Sequence, residues 1–267
     1  MSSTIQQAFV KARRHKKCAF IPFITGGFPN SRTFAEMLKA LDDSGADVIE
    51  VGIPFSDPLA DGPIIQHSSK LALDSGVTPL SILETLKSLR GTLKAPLVVM
   101  SYWNPIMKIG PEKFASFLKD AGVSGAIVPD LTPEESVEWR KHAAQNNIDT
   151  IFMVAPTTSA DRMKKITSLS KGFVYLVSMT GVTGSGLAMN SNLEQMLREV
   201  KNMSELPVAV GFGVSTAEQA GALADYADGV IVGSALVKRS IEAGSDRDAI
   251  NSVQSLASEI AGAIKLS

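Results

Sequence analysis

The chain repeats one hydropathy pattern from end to end. A short run of apolar and β-branched residues gives way to a stretch rich in Gly, Pro and Asp, then to a segment whose apolar residues fall three and four apart. Eight apolar runs stand out, at 18–25, 47–52, 96–102, 125–130, 150–155, 173–178, 207–213 and 229–235. They are continuous rather than alternating, as strands covered on both faces should be. The segments between them carry helical spacing, as in Phe34, Met37, Leu38 and Leu41, or Ile82, Leu86 and Leu89. Phe114, Phe117 and Leu118 repeat it, as do Met163, Ile166 and Leu169. Several helices are expected to open on a cap or a helix-compatible proline, at Gly110-Pro111-Glu112, Thr132-Pro133-Glu134-Glu135 and Ser215-Thr216-Ala217-Glu218.

Strand–helix alternation eight times over predicts an α/β fold with a parallel sheet, and eight strands close a (β/α)8 TIM barrel. An open, doubly wound sheet is the competing topology. Its dinucleotide-binding form needs G-x-G-x-x-G after the first strand, and here that turn reads Thr25-Gly26-Gly27-Phe28-Pro29. The barrel is therefore the expectation, as one domain over residues 1–267, because no linker, charge block or low-complexity segment marks a boundary. Ile5, Phe9 and Ala12 share one helical stripe, so an extra N-terminal helix should cover one end. The competing reading of that basic, serine-bearing segment is a short transit peptide.

The spacing of the runs locates the long loops. Most starts lie 22 to 34 residues apart, whereas the second and third are separated by 49. The excess begins at 53–62 (IPFSDPLADG), after strand two. A second extended loop, 180–190, follows strand six and carries Gly181, Gly184 and Gly186. Barrel active sites are built at the C-terminal ends of the strands, so both expansions belong to the active face.

Composition narrows the chemistry. The 267 residues are 45% hydrophobic and 20% charged, with 26 Lys+Arg against 27 Asp+Glu. A net charge of −1 gives no basic excess with which to capture nucleic acid or an anionic membrane. Cys18 is the only cysteine, which excludes an internal disulfide and suits a reducing cytoplasm. His15, His67 and His142 are scattered, so no metal site is expected. No apolar run approaches the roughly 18 residues of a membrane span, and the N-terminus lacks the apolar centre of a signal peptide.

Glu50 is the most informative residue, set in the otherwise apolar Val48-Ile49-Glu50-Val51-Gly52. A glutamate at a strand end can simply meet water or a lysine. Pointed inward at the top of a barrel strand, it would lose solvation and acquire a raised pKa suited to proton transfer. Asp61 is a second carboxylate in loop two; alone it would read as a turn former, but the long loop can carry it over the same cavity. Gly211-Phe212-Gly213 and Gly233-Ser234 follow strands seven and eight, where many barrels bind phosphate through backbone N–H groups and a helix N-terminus. Thr183-Gly184 could close that site from strand six. Phe23, Tyr102, Tyr175 and Phe212 stand at strand exits and suggest walls for a flat apolar group, though core packing explains each equally well. No strand run contains the lysine of a Schiff-base aldolase. Acid–base chemistry by carboxylates on a phosphorylated substrate remains.

The segment Ile49-Glu50-Val51-Gly52-Ile53-Pro54-Phe55-Ser56-Asp57-Pro58-Leu59-Ala60-Asp61-Gly62-Pro63 resembles the signature of the tryptophan synthase α subunit family. Pro22-Phe23-Ile24-Thr25, Ser178 with Gly181-Val182-Thr183-Gly184, Gly211-Phe212-Gly213 and Gly233-Ser234 extend the likeness over nearly the whole chain. The resemblance implies a (β/α)8 barrel that splits indole-3-glycerol phosphate into indole and glyceraldehyde 3-phosphate without a cofactor of its own. It implies Glu50 as general acid/base and Asp61 as stabiliser of an indolium-like intermediate. Phe23, Tyr102, Tyr175 and Phe212 should surround the indole or glycerol part, and Gly184, Gly213, Gly233 and Ser234 the phosphate. It further implies an αββα heterotetramer with a pyridoxal-phosphate-dependent β subunit, with Pro54, Asp57 and Pro58 near that interface. The chain departs from some bacterial members at Met179 (arginine there) and Phe28 (aspartate there). A stand-alone lyase releasing free indole and a non-catalytic activating subunit are the alternatives; another barrel enzyme acting on a sugar or indole phosphate would lack the motif at 55–62.

Overall fold

The computed structural model describes residues 3–16, 18–177, 191–211 and 213–265. Its strands are β1 (Ala19–Thr25), β2 (Ile49–Gly52), β3 (Leu97–Met100), β4 (Val123–Ile127), β5 (Asp149–Ile151), β6 (Met153–Val154), β7 (Val174–Val177), β8 (Val208–Gly211) and β9 (Gly229–Val232). Its helices are α1 (Thr4–Ala12), α2 (Ser31–Asp43), α3 (Pro63–Asp74), α4 (Pro79–Ser88), α5 (Trp103–Ile109), α6 (Pro111–Asp120), α7 (Val137–Gln145), α8 (Ala160–Leu169), α9 (Ser191–Met203), α10 (Ala217–Ala224), α11 (Ser234–Ile241) and α12 (Asp246–Ala263).

All pairings between these strands are parallel, in the order β5-β4-β3-β2-β1-β9-β8-β7-β6. The two ends of that order, β5 and β6, are halves of the fifth apolar run, interrupted only at Phe152. Tyr175 N–H donates to the Phe152 carbonyl at 3.1 Å, and Lys171 N–H to that of Thr150 at 2.8 Å. One broken strand thus lies in both edges of the sheet, and the sheet curls into a barrel.

Side chains alternate across each strand. In β1, Ala19, Ile21 and Phe23 face the barrel interior, while Phe20 and Ile24 face the surrounding helices. Val98 and Met100, Ile127, Ile151, Tyr175, Ala209 and Ile231 continue the inner set. Helix α1 closes the N-terminal end: Ser3 caps it in a reciprocal pair with Gln6, and Ile5, Phe9 and Ala12 are buried in that inner cluster. Phe9 stacks on Phe173 with ring centroids 5.6 Å apart. The helix expected there is present.

Three local expectations are revised. The long gap after strand two holds a helix of its own, α3, before α4. The segment opening at Thr132-Pro133 forms a turn first, with Glu135 and Ser136 N–H groups donating to the Thr132 carbonyl, and α7 starts only at Val137. Phe117 of α6 is 38% exposed, while Phe114 and Leu118 are buried. The loop expected to be long after strand six, 180–190, lies outside the described residues.

Candidate active site

Alternation decides where Glu50 points. Val48 faces the interior, so Glu50, two residues on, does too. Its Cα is level with Phe23 of β1 and Val98 of β3. Glu50 is 1% exposed, and its Oε2 is buried without a hydrogen-bond partner. A carboxylate charge in that position is costly, so the group holds its proton. Burial first, and the nearby Asp61 charge second, push its pKa from 4.5 up to about 8.

Asp61 reaches the same cavity from the loop between β2 and α3. Local hydrogen bonds shape that loop: Ile53 N–H donates to Met100 carbonyl at 2.8 Å, Leu59 N–H to Asp57 carbonyl at 3.0 Å and Asp61 N–H to Pro58 carbonyl at 3.0 Å. Gln66, one turn into α3, donates to the Asp61 carbonyl at 2.8 Å. Burial raises the Asp61 carboxyl from 3.8 to about 6, opposed by a hydrogen bond from Tyr102. Two carboxyl groups in one cavity thus ionise at different pH, with Asp61 giving up its proton first.

The cavity is about 90 Å³ and is lined by Glu50, Asp61, Phe23, Tyr175, Gly213, Gly233 and Ser234 among the expected residues. Gly233 is the N-cap of α11, and Gly213 sits at φ 88°, a backbone conformation that favours glycine. The glycine turns after β8 and β9 therefore stand on the same cavity as the two carboxyl groups. Phe23 owes its seat to its neighbours: a Cβ on Gly52 would lie 2.5 Å from its ring, and one on Gly233 3.3 Å. Ile65, Met100, Met153 and Ile231 complete an apolar wall that the sequence reading missed. Met100 and Ile231 were within reach of strand parity; Ile65, on the unforeseen α3, carried no such signal.

Other expected residues sit elsewhere. Tyr102 is buried beside loop two rather than lining the cavity, with its Oη accepting from Ala60 N–H at 2.9 Å. Gly211 lies beneath Tyr175, where a Cβ would come within 2.3 Å of the phenolic oxygen. Thr183, Gly184 and Phe212, like Met179, fall outside the described residues. In loop two Asp57 is exposed and Pro58 half-buried, but Pro54 is buried and presents no surface. Leu59, beside them, is 93% exposed. Among the described residues, no group of three or more His, Cys, Asp or Glu side chains is placed to hold a metal ion, and no helix is long and apolar enough to cross a membrane.

The sequence profile of the family described as tryptophan synthase alpha chain matches residues 9–265. The chain belongs to that family. It is 46% identical to the tryptophan synthase alpha chain of Synechococcus elongatus over 243 residues, covering 91% of each chain. Its fold matches a Mycobacterium tuberculosis tryptophan synthase structure at a TM-score of 0.91 and 36% identity, over 100% of both chains. The Legionella pneumophila tryptophan synthase alpha chain superposes at 0.89 and 35%, over 99% of this chain and 98% of the other. The α reaction of tryptophan synthase is a lyase step. The α chain carries no cofactor; pyridoxal phosphate belongs to the β subunit, which is its partner.

Proposed function

We propose that this chain cleaves indole-3-glycerol phosphate to indole and glyceraldehyde 3-phosphate by a retro-aldol reaction, with Glu50 as general acid/base and Asp61 as stabiliser of the indolium-like intermediate. The observation that carries the reading is the buried Glu50 carboxyl, its Oε2 without a hydrogen-bond partner, facing a cavity shared with Asp61.

The proton balance closes on one residue. Glu50, protonated at neutral pH, gives its proton to the ring carbon that bears the glycerol chain. Positive charge then develops on the ring nitrogen, where the ionised Asp61 stabilises it and accepts its N–H. The bond between ring and chain breaks as the adjacent glycerol hydroxyl loses its proton to the Glu50 carboxylate. The aldehyde forms, the electron pair returns to the ring, and Glu50 is protonated again. A pKa of about 8 for Glu50 and about 6 for Asp61 supports this division of labour. Phe23, Tyr175, Met100 and Ile231 supply apolar walls for a flat ring. Main-chain N–H groups at Gly213, Gly233 and Ser234, with the positive end of α11, suit the phosphate. Thr183, Gly184 and Phe212 belong to the same proposal.

The reading also includes an αββα heterotetramer, a cytoplasmic location, one barrel domain over residues 1–267, and loop two, through Asp57 and Pro58, at the β-subunit contact. The test is indole release from indole-3-glycerol phosphate, with and without a β subunit. Glu50→Gln should fold normally and lose roughly 10²-fold or more in turnover, the scale of a lost general acid/base. Near-full activity in that variant would remove Glu50 from the mechanism. Full activity of the unsubstituted chain without any partner would favour a stand-alone lyase.

A further inference from the structure

We infer that Tyr102 is a positioning residue: its hydroxyl ties loop two to the exit of β3 and fixes the Asp61 carboxylate over the cavity, without itself touching the substrate. The inference rests on the proposed role of Asp61.

A phenol has one proton to give and lone pairs to accept with. Ala60 N–H already donates to Tyr102 Oη at 2.9 Å, which leaves the phenolic proton for the carboxylate of the next residue, Asp61. A single atom thereby holds both the backbone and the side chain of adjacent loop residues. The ring that carries it is fixed. It is 3% exposed, lies against Phe55 with centroids 5.2 Å apart and planes at 31°, and belongs to the N-cap residue of α5. The next residue, Trp103, donates its N–H to Asp130 Oδ1 at 2.8 Å, so the first turn of α5 is anchored to the segment after β4. Asp61 lines the cavity and Tyr102 does not, which separates the residue that meets the reaction from the one that aims it.

The surroundings of Asp61 make this contact consequential. Glu50 faces it from β2, Tyr175 from β7 and Tyr102 from the exit of β3, with Asp130 beyond Tyr102. These are acids and phenols. Burial favours the neutral form of Asp61, and among the described residues the Tyr102 hydrogen bond is what favours the charged one. Without that bond, Asp61 holds its proton to higher pH and its carboxylate loses its aim. Ionised Asp61 also helps to keep Glu50 protonated, so the acid and the stabiliser would lose their separation together.

The test uses the α–β complex and Tyr102→Phe, which keeps the ring and its packing on Phe55. Indole release should show kcat roughly 10- to 100-fold lower at neutral pH, as for one lost hydrogen bond to a charged group. The Michaelis constant should stay within about twofold, because substrate contacts are intact. The acid limb of the pH–rate profile should move to higher pH. Under single-turnover conditions, Tyr102→Phe added to Asp61→Asn should change nothing further, since the group it acts through is gone. A raised Michaelis constant at unchanged kcat would make Tyr102 a wall of the substrate site and overturn the inference. Independent, multiplying losses in the double variant or an unmoved acid limb would do the same. Full turnover in Asp61→Asn alone would instead bring down the role of Asp61, and Tyr102's with it. A crippled Asp61→Asn beside a fully active Tyr102→Phe would bring down Tyr102 alone.

Discussion

Glu50 stores part of the protein's stability as a function of pH. Its carboxyl ionises near 4.5 when exposed and at about 8 in the fold. Below 4.5 both states are protonated and folding incurs no penalty. Between the two values the unfolded chain has released a proton that the folded chain still holds, so stability falls as pH rises through this window. Glutamine has no such dependence. Glu50→Gln should therefore gain on the unsubstituted protein as pH climbs from 4.5 to 8, read as a widening gap in Tm, while its turnover is lost. A constant gap would mean that the carboxyl is solvated. At the opposite rim, Gly233→Asp would set a negative charge at the N-terminus of α11 and press a Cβ to 3.3 Å from Phe23. The Michaelis constant for the phosphorylated substrate should rise at least about tenfold, because like charge in an anion site costs more than about 1.4 kcal/mol. Unchanged affinity would move the phosphate elsewhere. Both residues were legible in the sequence: one as a lone acid in an apolar strand, the other by its place after the last strand.

At the scale of elements, α1 behaves as a plug. Phe9 is 1% exposed, stacks on Phe173 and fills the space left by Gly229, where a Cβ would approach its ring to 2.9 Å. Phe9→Ala should destabilise the protein by roughly 3–5 kcal/mol, the usual cost of emptying a large aromatic site, measurable by denaturant unfolding. A loss below about 1 kcal/mol would mean that the helix is only loosely docked. The stripe Ile5, Phe9 and Ala12 announced this helix because burial on one face imposes a period near 3.6. The same rule overreached at Phe117, which stands on the edge of its stripe, and a capping pattern at Thr132 produced a turn before α7 because local side-chain bonds also stabilise turns. Helix α3 went unread. Its buried residues are Ser68, Ser69 and Ala72, and the Ser68 hydroxyl meets that of Thr25 at 2.7 Å. Small and polar side chains packed against a strand leave little hydropathic trace.

Over the whole molecule, the two ends of the barrel divide the work. The N-terminal end is closed by α1 and by two acids, Asp228 buried and Asp47 half-buried, that tie strand ends together. Asp228 accepts from Val208 N–H and pairs with Arg13 and Lys201, and Asp47 accepts from Phe20 N–H and pairs with Lys16. The C-terminal end holds the cavity and loop two, whose tip exposes Leu59 almost completely beside Asp57. An apolar side chain so presented suits a partner surface. Leu59→Asp should weaken association with the β subunit roughly tenfold or more, as for an interface anchor worth over 1.4 kcal/mol, and leave the Tm of the isolated chain unchanged. Undiminished association, measured by titration calorimetry, would put the contact elsewhere.

The sequence alone determined the strand count, the parallel order it implies and the glycine turns after the last strands. Each follows from local periodicity or from a backbone position that only glycine fills easily. The point of ring closure required the three-dimensional chain: the fifth run pairs with β4 through β5 and with β7 through β6. So did the pairing of Asp61 with Glu50 and the turn of Tyr102 toward loop two. A cavity's depth, and which groups lose their water inside it, are set by contacts between segments far apart along the chain, and hydropathy read residue by residue does not contain them.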